Sequence, residues 1–227
     1  MPQKQRHFIQ RFRWILAILL LPLITGCALT REIQDITIPP VADPSGAMKV
    51  AITSVTDSRI FERFTEDYST PSVMSEDLQN SAIKARAIHR KANLNGGLMG
   101  DVLLPEGRTV ATVTRELATS AFRSAGISVL EPGTPGFTQA IPVQIDIQQF
   151  WAWQTMDSDC DIVFDIRLNI RSPLPPFQQG KQISGRGLMG QLWGTDEEFI
   201  APFREGLDQV SRSITAALKS PSEGTPP

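Results

Sequence analysis

Alternation between apolar and polar residues is clearest in the second half of the chain. From residue 141 the apolar positions recur every second residue, and a similar run begins at Cys160. A period of two predicts strands with one buried face and one wet face. The four residues 156–159 (M-D-S-D) suit a short connection, so we predict an antiparallel hairpin. The apolar positions of the first strand are Val143, Ile145, Ile147, Trp151 and Trp153, and those of the second are Ile162, Phe164, Ile166, Leu168 and Ile170.

Weaker strand signals lie on both sides of this hairpin. Residues 48–55 (M-K-V-A-I-T-S-V) predict the first strand of the domain, and residues 127–130 predict another short one. Residues 181–193 follow a proline-rich turn and predict a glycine-rich strand.

Apolar residues recur at helical spacing in two segments. Residues 109–125 carry an apolar residue at every third or fourth position and precede Gly126, which suits a helix C-terminus. Residues 196–219 follow a capping box formed by Thr195 and Glu198. Their single apolar stripe consists of Phe199, Phe203, Leu207, Val210, Ile214 and Leu218. A third, shorter helix is predicted within residues 75–91.

This order of elements predicts an α+β fold. We expect a two-layer sandwich with a mainly antiparallel sheet and two helices packed on one face. The other face of the sheet would be polar and would contact solvent or a partner. Residues 61–107 carry few strong signals and are predicted to be a long insertion or loop region, which in a small domain is typically functional or mobile.

The N-terminus resembles the export signal and lipobox of bacterial lipoproteins. Residues 1–13 are basic, and residues 14–24 form an uncharged run of eleven residues. As a helix this run would span roughly 16 Å, which is too short to cross a bilayer. It is followed by L-I-T-G-C, ending at Cys27. We predict that residues 1–26 are cleaved as a signal peptide.

Cys27 is therefore the predicted lipidation site. In lipoproteins the cysteine sulfur accepts a diacylglyceryl group and the new amine is acylated, which gives three acyl chains; two lipid signals already suffice for stable anchoring. Ala28 follows the cysteine, where aspartate would favour the inner membrane. The sequence thus predicts an outer-membrane lipoprotein that faces the periplasm.

The folded domain is predicted to cover residues 48–219. Residues 27–47 contain three prolines and no periodicity, which predicts a flexible tether with a reach of roughly 25 Å. Residues 220–227 (S-P-S-E-G-T-P-P) are predicted to form a disordered tail.

The net charge of the chain argues against nucleic acids as partners. The chain has a formal charge of −2, and removal of the four basic residues of the signal leaves 18 basic and 24 acidic residues, a charge of −6. An acidic domain argues against nucleic-acid binding, which requires a basic surface.

No catalytic residue, metal site or cofactor is predicted. The two histidines are His7, which is cleaved with the signal, and His89. A metal-binding histidine pair and a G-x-S-x-G motif are both absent, and N-G-G-L-M-G (residues 95–100) lacks the lysine of a phosphate-binding loop. Cys160 falls within the apolar alternation, which indicates a buried thiol.

Two groups of residues are candidate binding sites because of their composition. Lys84, Arg86, Arg90 and Lys91 form a local basic cluster around His89 that suits lipid headgroups, lipopolysaccharide phosphates or an acidic partner, unless it is simply a solvated helix face. The tryptophans suit a groove for lipid or glycan, unless they are core residues. They are Trp151, Trp153 and Trp193.

Several segments together resemble the YajG-type family of bacterial lipoproteins. These are the lipobox, M-K-V-A-I-T-S-V-T-D-S-R, R-T-V-A-T-V-T-R-E-L-A-T-S-A-F-R-S-A-G-I and P-V-Q-I-D-I-Q-Q-F. The resemblance implies a small periplasm-facing outer-membrane lipoprotein, sometimes labelled flagellar-associated, with no established catalytic residues.

These observations favour a non-enzymatic accessory or binding module of the cell envelope. Its expected partners are the membrane, through N-terminal acyl chains, and an envelope protein. The alternatives are a ligand-binding or transport-auxiliary lipoprotein for lipid or glycan and, third, a hydrolase with an unrecognised site.

Overall fold

The computed structural model describes residues 31–63, 67–92, 97–155, 161–190 and 196–220. These residues form eight strands and three α-helices, which confirms the α+β class. The strands are β1 Glu32–Ile33, β2 Lys49–Asp57, β3 Ala87–Ala92, β4 Leu98–Leu103, β5 Ser128–Leu130, β6 Ile141–Gln154, β7 Ile162–Arg171 and β8 Lys181–Met189. The helices are α1 Ser81–Arg86, α2 Val110–Ser124 and α3 Asp196–Lys219.

All eight strands belong to one sheet organised around the long strand β6. The predicted hairpin is present, with β7 antiparallel to β6 and β8 antiparallel to β7. On its other side, the first half of β6 pairs with β2, which pairs with β5, and both pairings are parallel. The last part of β6 pairs with β3, which continues to β4 and β1. The longest ladders are antiparallel, as the sequence predicts, within a mixed sheet.

Helices α2 and α3 pack on one face of this sheet and enclose the main core. The Thr109 side chain caps α2 in a reciprocal capping box with Thr112, and Gly126 follows the helix with φ +86°. The stripe of α3 faces the sheet, where the Phe203 ring lies 4.4 Å from the Phe164 ring between centroids. Both helices therefore occupy the layer that their periodicity predicts.

The glycines of β8 allow α3 to lie directly against the strand. A Cβ added at Gly187 would clash with the carbonyl of Pro202, and one at Gly185 with the carbonyl of Gly206. Side chains of α3 also bond to the backbone of β8, because Gln209 exchanges two hydrogen bonds with Arg186 at 3.0 and 2.8 Å. The outer edge of the sheet is thereby covered.

A bulge in β6 corrects one prediction about its side chains. The register with β7 shifts between Ile147 and Gln149, so one residue is added to the strand. An added residue sends every later side chain to the opposite face. Phe150 and Ala152 therefore enter the main core, whereas Trp151 and Trp153 contact a second cluster on the other face. Placing these tryptophans on one face with Ile147 was wrong.

The segment 61–107 is folded in its described parts and covers part of that second face. It contributes α1, β3, β4 and a 3₁₀ turn at Ser75–Asp77. The helix predicted within 75–91 is confined to α1, because the backbone becomes extended from Ala87 onward and pairs with β4. A second apolar cluster forms beneath this segment, from Val73, Ala87, Leu103 and Trp151 with Phe61, Leu78, Ile83 and Trp153 around it.

The predicted tether is packed against the domain from Arg31 onward, where the compact unit begins. Ile36 is 2% exposed within the main core. Carbonyls of this proline-rich segment accept hydrogen bonds from side chains in and next to α2, including Arg108 to Ile36 at 2.8 Å and Ser120 to Pro39 at 3.1 Å. A tether extending to residue 47 is thus wrong: buried Ile36 and these donors hold the segment in place.

Candidate functional site

The helix cleft, a groove of about 450 Å³, lies between the docked segment 34–41 and the two long helices. Its polar residues lie on the segment and on the outward positions of α2 and α3. The apolar lining includes Ile36, Ile38, Leu117, Ile200 and Leu207, and the polar lining includes Gln34, Asp35, Ser120, Arg204, Asp208 and Ser211.

One arginine fixes the wall of the helix cleft that the segment forms. The Arg108 Nε lies 2.9 Å from the Asp35 carboxylate, and a terminal nitrogen of the same guanidinium lies 3.0 Å from that of Glu116. The hydrogen bonds that Arg108 donates to the Glu116 carboxylate are the main cause that raises the pKa of Arg108. Because Arg108 also donates to the Ile36 carbonyl, it holds segment and helix in one geometry.

The helix cleft is suited to binding rather than to bond chemistry. Its floor is aliphatic, and its rim carries hydroxyl groups, the Asp35 carboxylate and two opposite charges, Arg204 and Asp208, one turn apart on α3. A mainly apolar concavity with a few polar groups is the usual form of a ligand or peptide site. Within the described part of the chain, no group of three or more histidine, cysteine, aspartate or glutamate residues is placed to hold a metal ion.

The predicted basic cluster is dispersed. Lys84 and Arg86 lie on α1, and Arg86 donates to the Leu104 carbonyl at 2.8 Å. Arg90 is buried with a nitrogen 3.5 Å from the Asp101 carboxylate, and Lys91 pairs with Glu32. The change from helix to strand at Ala87 separates these side chains, so they do not form a single anionic contact surface.

The predicted tryptophan groove is filled by protein. Trp151 is 1% exposed and donates its indole N–H to the Tyr68 carbonyl at 3.2 Å. Phe61 packs edge-on against the same indole, with centroids 6.1 Å apart. Trp153 is half-buried, and the Arg186 guanidinium lies 5.6 Å from its ring centroid. Trp193, Cys27 and Cys160 lie outside the described residues.

His89 is a core residue. It is 3% exposed, and its Nδ1 lies 2.9 Å from the Ala152 carbonyl, which assigns the proton to that nitrogen. Its ring packs 5.5 Å from that of Phe199. Burial lowers the pKa of His89 to about 4, so the side chain is neutral near pH 7. These contacts give the imidazole a structural role beneath α3.

Arg59 is a highly connected side chain that the sequence does not reveal. Its guanidinium is fully buried and forms a two-pronged pair with Asp57 at 2.8 and 2.7 Å. The remaining donors reach three carbonyls at 2.7–2.9 Å, those of Lys84, Ala87 and Phe150. The residue therefore joins the end of β2 to α1, β3 and the bulged part of β6, and its role is to attach the insertion.

A second buried ion pair lies under the same insertion. Asp101 is completely buried, and its carboxylate accepts a hydrogen bond from the Met74 N–H at 3.1 Å. Burial raises the pKa of Asp101 and lowers that of Arg90 beside it. Contacts to Asp101 come from residues 11 to 27 positions away in sequence, which is why no local motif marks it.

No helix among the described residues combines the length and apolar character needed to cross a bilayer.

Comparisons with known proteins identify no family. No family model matches the chain, and neither does any curated protein. Among solved structures, a Xanthomonas campestris protein of family DUF330 is similar at TM-score 0.44 and 11% identity, covering 82% of this chain and 92% of that one. An uncharacterized protein is similar at TM-score 0.32 and 8% identity, covering 82% and 94% of the two chains. A PelC dodecamer from Paraburkholderia phytofirmans is similar at TM-score 0.27 and 12% identity, covering 81% and 92%.

Proposed function

We propose that this protein is a non-enzymatic binding module of the bacterial cell envelope. In this proposal acyl chains on Cys27 hold it in the outer membrane, and its domain faces the periplasm. The anchoring rests on the lipobox at residues 23–27. The proposed binding activity rests on the helix cleft, and the proposed partner is an envelope protein.

The helix cleft is the single observation that carries the binding activity. Its floor residues Leu117 and Leu207 are each 3% exposed and thus fixed by the core behind them. Arg204 and Asp208 supply charge at the rim. A preformed apolar floor with a polar rim resembles the centre of a protein interface and suits an amphipathic segment of a partner.

Position-specific photo-cross-linking in cells tests this assignment. Two serines of α3 provide a matched pair, because Ser211 lines the helix cleft and Ser213 is exposed on the same helix. A photoreactive residue at position 211 should capture a reproducible envelope protein, and the same residue at position 213 should not. Ser120→Trp, which fills the cleft, should abolish the product. Equal capture from both positions would refute the cleft as the binding site.

A lipid or glycan ligand is the second candidate. The volume of about 450 Å³ lies within the range of small-ligand pockets, roughly 300–1,000 Å³. Native mass spectrometry of the purified protein distinguishes the candidates. A bound lipid or sugar that is lost in Ser120→Trp, without any protein cross-link at position 211, would favour this second function.

The anchor has its own test. Cys27→Ser removes the sulfur that accepts the diacylglyceryl group, so the variant should accumulate as unprocessed precursor without acyl mass. Normal maturation of this variant would contradict the proposed anchoring.

A further inference from the structure

The chain enters the sheet at one particular end. At this end β3 and β4 meet (Ala92 and Leu98), as do β6 and β7 (Gln154 and Ile162), and β8 terminates. We call this the loop end. β1 runs parallel to β4, with Glu32 opposite Val102, so the chain reaches β1 from the side on which β4 begins.

The proposed anchor is close in sequence to this entry point. Arg31 follows Cys27 by only four positions. A fully extended chain covers at most about 3.5 Å per residue, so the covalent chain between the Cα atoms of Cys27 and Arg31 can span at most about 14 Å. From residue 31 the chain is held by the pairs Arg31–Asp77 and Glu32–Lys91 and by the β1–β4 ladder. In the proposed acylated protein, only residues 28–30 separate the anchor from the folded domain in sequence.

Exposed apolar side chains lie at the same end. Met99 is the second residue of β4 and is 51% exposed, and Leu188 is the second-last residue of β8 and is 56% exposed. Leu188 is opposite Val163, which is opposite Trp153, so an apolar row crosses three strands here. Arg186 lies over the Trp153 ring. Tryptophan and arginine with an apolar body and a polar tip suit the headgroup region of a membrane.

We infer that the loop end rests on the bilayer that holds the anchor, with Met99 and Leu188 at the level of the lipid headgroups. This orientation rests on the proposed acylation of Cys27. It leaves the opposite end of β6 remote from the membrane, because fourteen residues of strand extend about 45 Å.

Quenching by headgroup-labelled lipid tests the orientation. The acylated full-length mature protein is reconstituted in vesicles of phosphatidylethanolamine and phosphatidylglycerol that contain a nitroxide-headgroup lipid. A fluorophore is attached to a single engineered cysteine, Met99→Cys or Leu188→Cys, in a Cys160→Ser background. Met48→Cys is the matched control, because Met48 is also exposed but precedes β2, whose first residues pair with the start of β6 at the opposite end.

Quenching should be several-fold stronger at positions 99 and 188 than at position 48. Equal quenching at all three positions, or stronger quenching at 48, would overturn the orientation. The acyl mass on Cys27 is measured on the same samples. Equal quenching with the acyl mass present refutes the orientation and leaves the anchor intact, whereas absence of the mass refutes both.

Discussion

The two faces of the sheet are covered in different ways. On the first face, α2 and α3 add continuous apolar stripes to the main core, and every ring of the Phe164–Phe203–Phe199 series packs against another. On the second face, the cover is the described part of segment 61–107 that precedes β3, whereas β3 and β4 are strands of the sheet itself. Its apolar cluster around Trp151 is small, and the completely buried side chains of Arg59 and Asp101 lie under the same segment.

This difference has an energetic consequence. Apolar burial is roughly proportional to area and does not depend on direction. A buried charge, in contrast, costs several kcal/mol unless its partners are correctly placed. The second face therefore depends on a few directional contacts. We expect the insertion to open separately from the helix-covered face, at a lower free energy than global unfolding.

The largest expected effects come from deleting one large ring on each face. Phe203 is fully buried in the main core and Trp151 is 1% exposed in the second cluster. Each change to alanine should cost about 3–5 kcal/mol of local packing. Phe203→Ala should lower the free energy of global unfolding in urea by that amount. Trp151→Ala should mainly remove amide protection from residues 67–92 in hydrogen exchange. Loss of protection throughout the chain in both variants would contradict independent opening.

Removal of the Arg59 guanidinium should have the next largest effect. Arg59→Gln leaves Asp57 and three carbonyls without their donor, which should cost about 3 kcal/mol. Hydrogen exchange should show the loss first in α1 and β3. Arg167→Gln is the control, because Arg167 is exposed on β7 and should change stability by less than about 0.5 kcal/mol. Equal effects of the two substitutions would contradict a role in attaching the insertion.

The stability of the protein should depend on pH through His89, which extends from β3 of the insertion and packs against α3. Its pKa is about 4 in the folded protein, against 6.5 for the ordinary side chain. Below pH 6.5 the unfolded chain therefore binds a proton that the folded protein does not, and stability falls until the pH reaches about 4. The total loss in the free energy of unfolding over this pH range is about 3 kcal/mol.

His89→Asn isolates this contribution, because the amide nitrogen of asparagine can still donate to the Ala152 carbonyl. Urea unfolding near pH 7 and near pH 4.5 should show the unsubstituted protein losing about 2 kcal/mol more than the variant. Parallel losses in the two proteins would show that His89 does not titrate as its burial implies.

The sequence predicts the periodic half of the molecule well. The β6–β7 hairpin, α2 and α3 lie within two residues of their predicted bounds, because each element is long and has a clear apolar period. The bulge in β6 is hidden because the apolar run F-W-A-W (residues 150–153) fits either face. The three carbonyls that accept from Arg59 are 25 to 91 positions away in sequence, so the local run D-S-R indicates only the end of a strand.

The helix cleft could not be predicted for the same reason. One wall comes from a proline-rich segment that has no helical or strand period. Its order depends on carbonyls that accept from side chains about 70 to 80 residues later, at Arg108 and Ser120. Local pattern reports local structure, whereas this site arises from contacts between distant segments.

The smallest expected effects come from removing one helix cap on each face, and they test whether the two faces unfold independently. Asn80 caps α1 in the insertion, accepting from the Ala82 and Ile83 N–H groups at 3.1 and 3.3 Å, and Thr109 caps α2 over the main core. Loss of either cap should cost about 1 kcal/mol. Thr109→Ala should therefore lower the free energy of global unfolding by about that amount. Asn80→Ala should leave it within about 0.3 kcal/mol and accelerate amide exchange in α1 and β3 by about fivefold, because about 1 kcal/mol of local opening corresponds to that ratio. If Asn80→Ala instead reduces global stability as much as Thr109→Ala does, the insertion unfolds together with the helix-covered face, and the two faces form one cooperative unit.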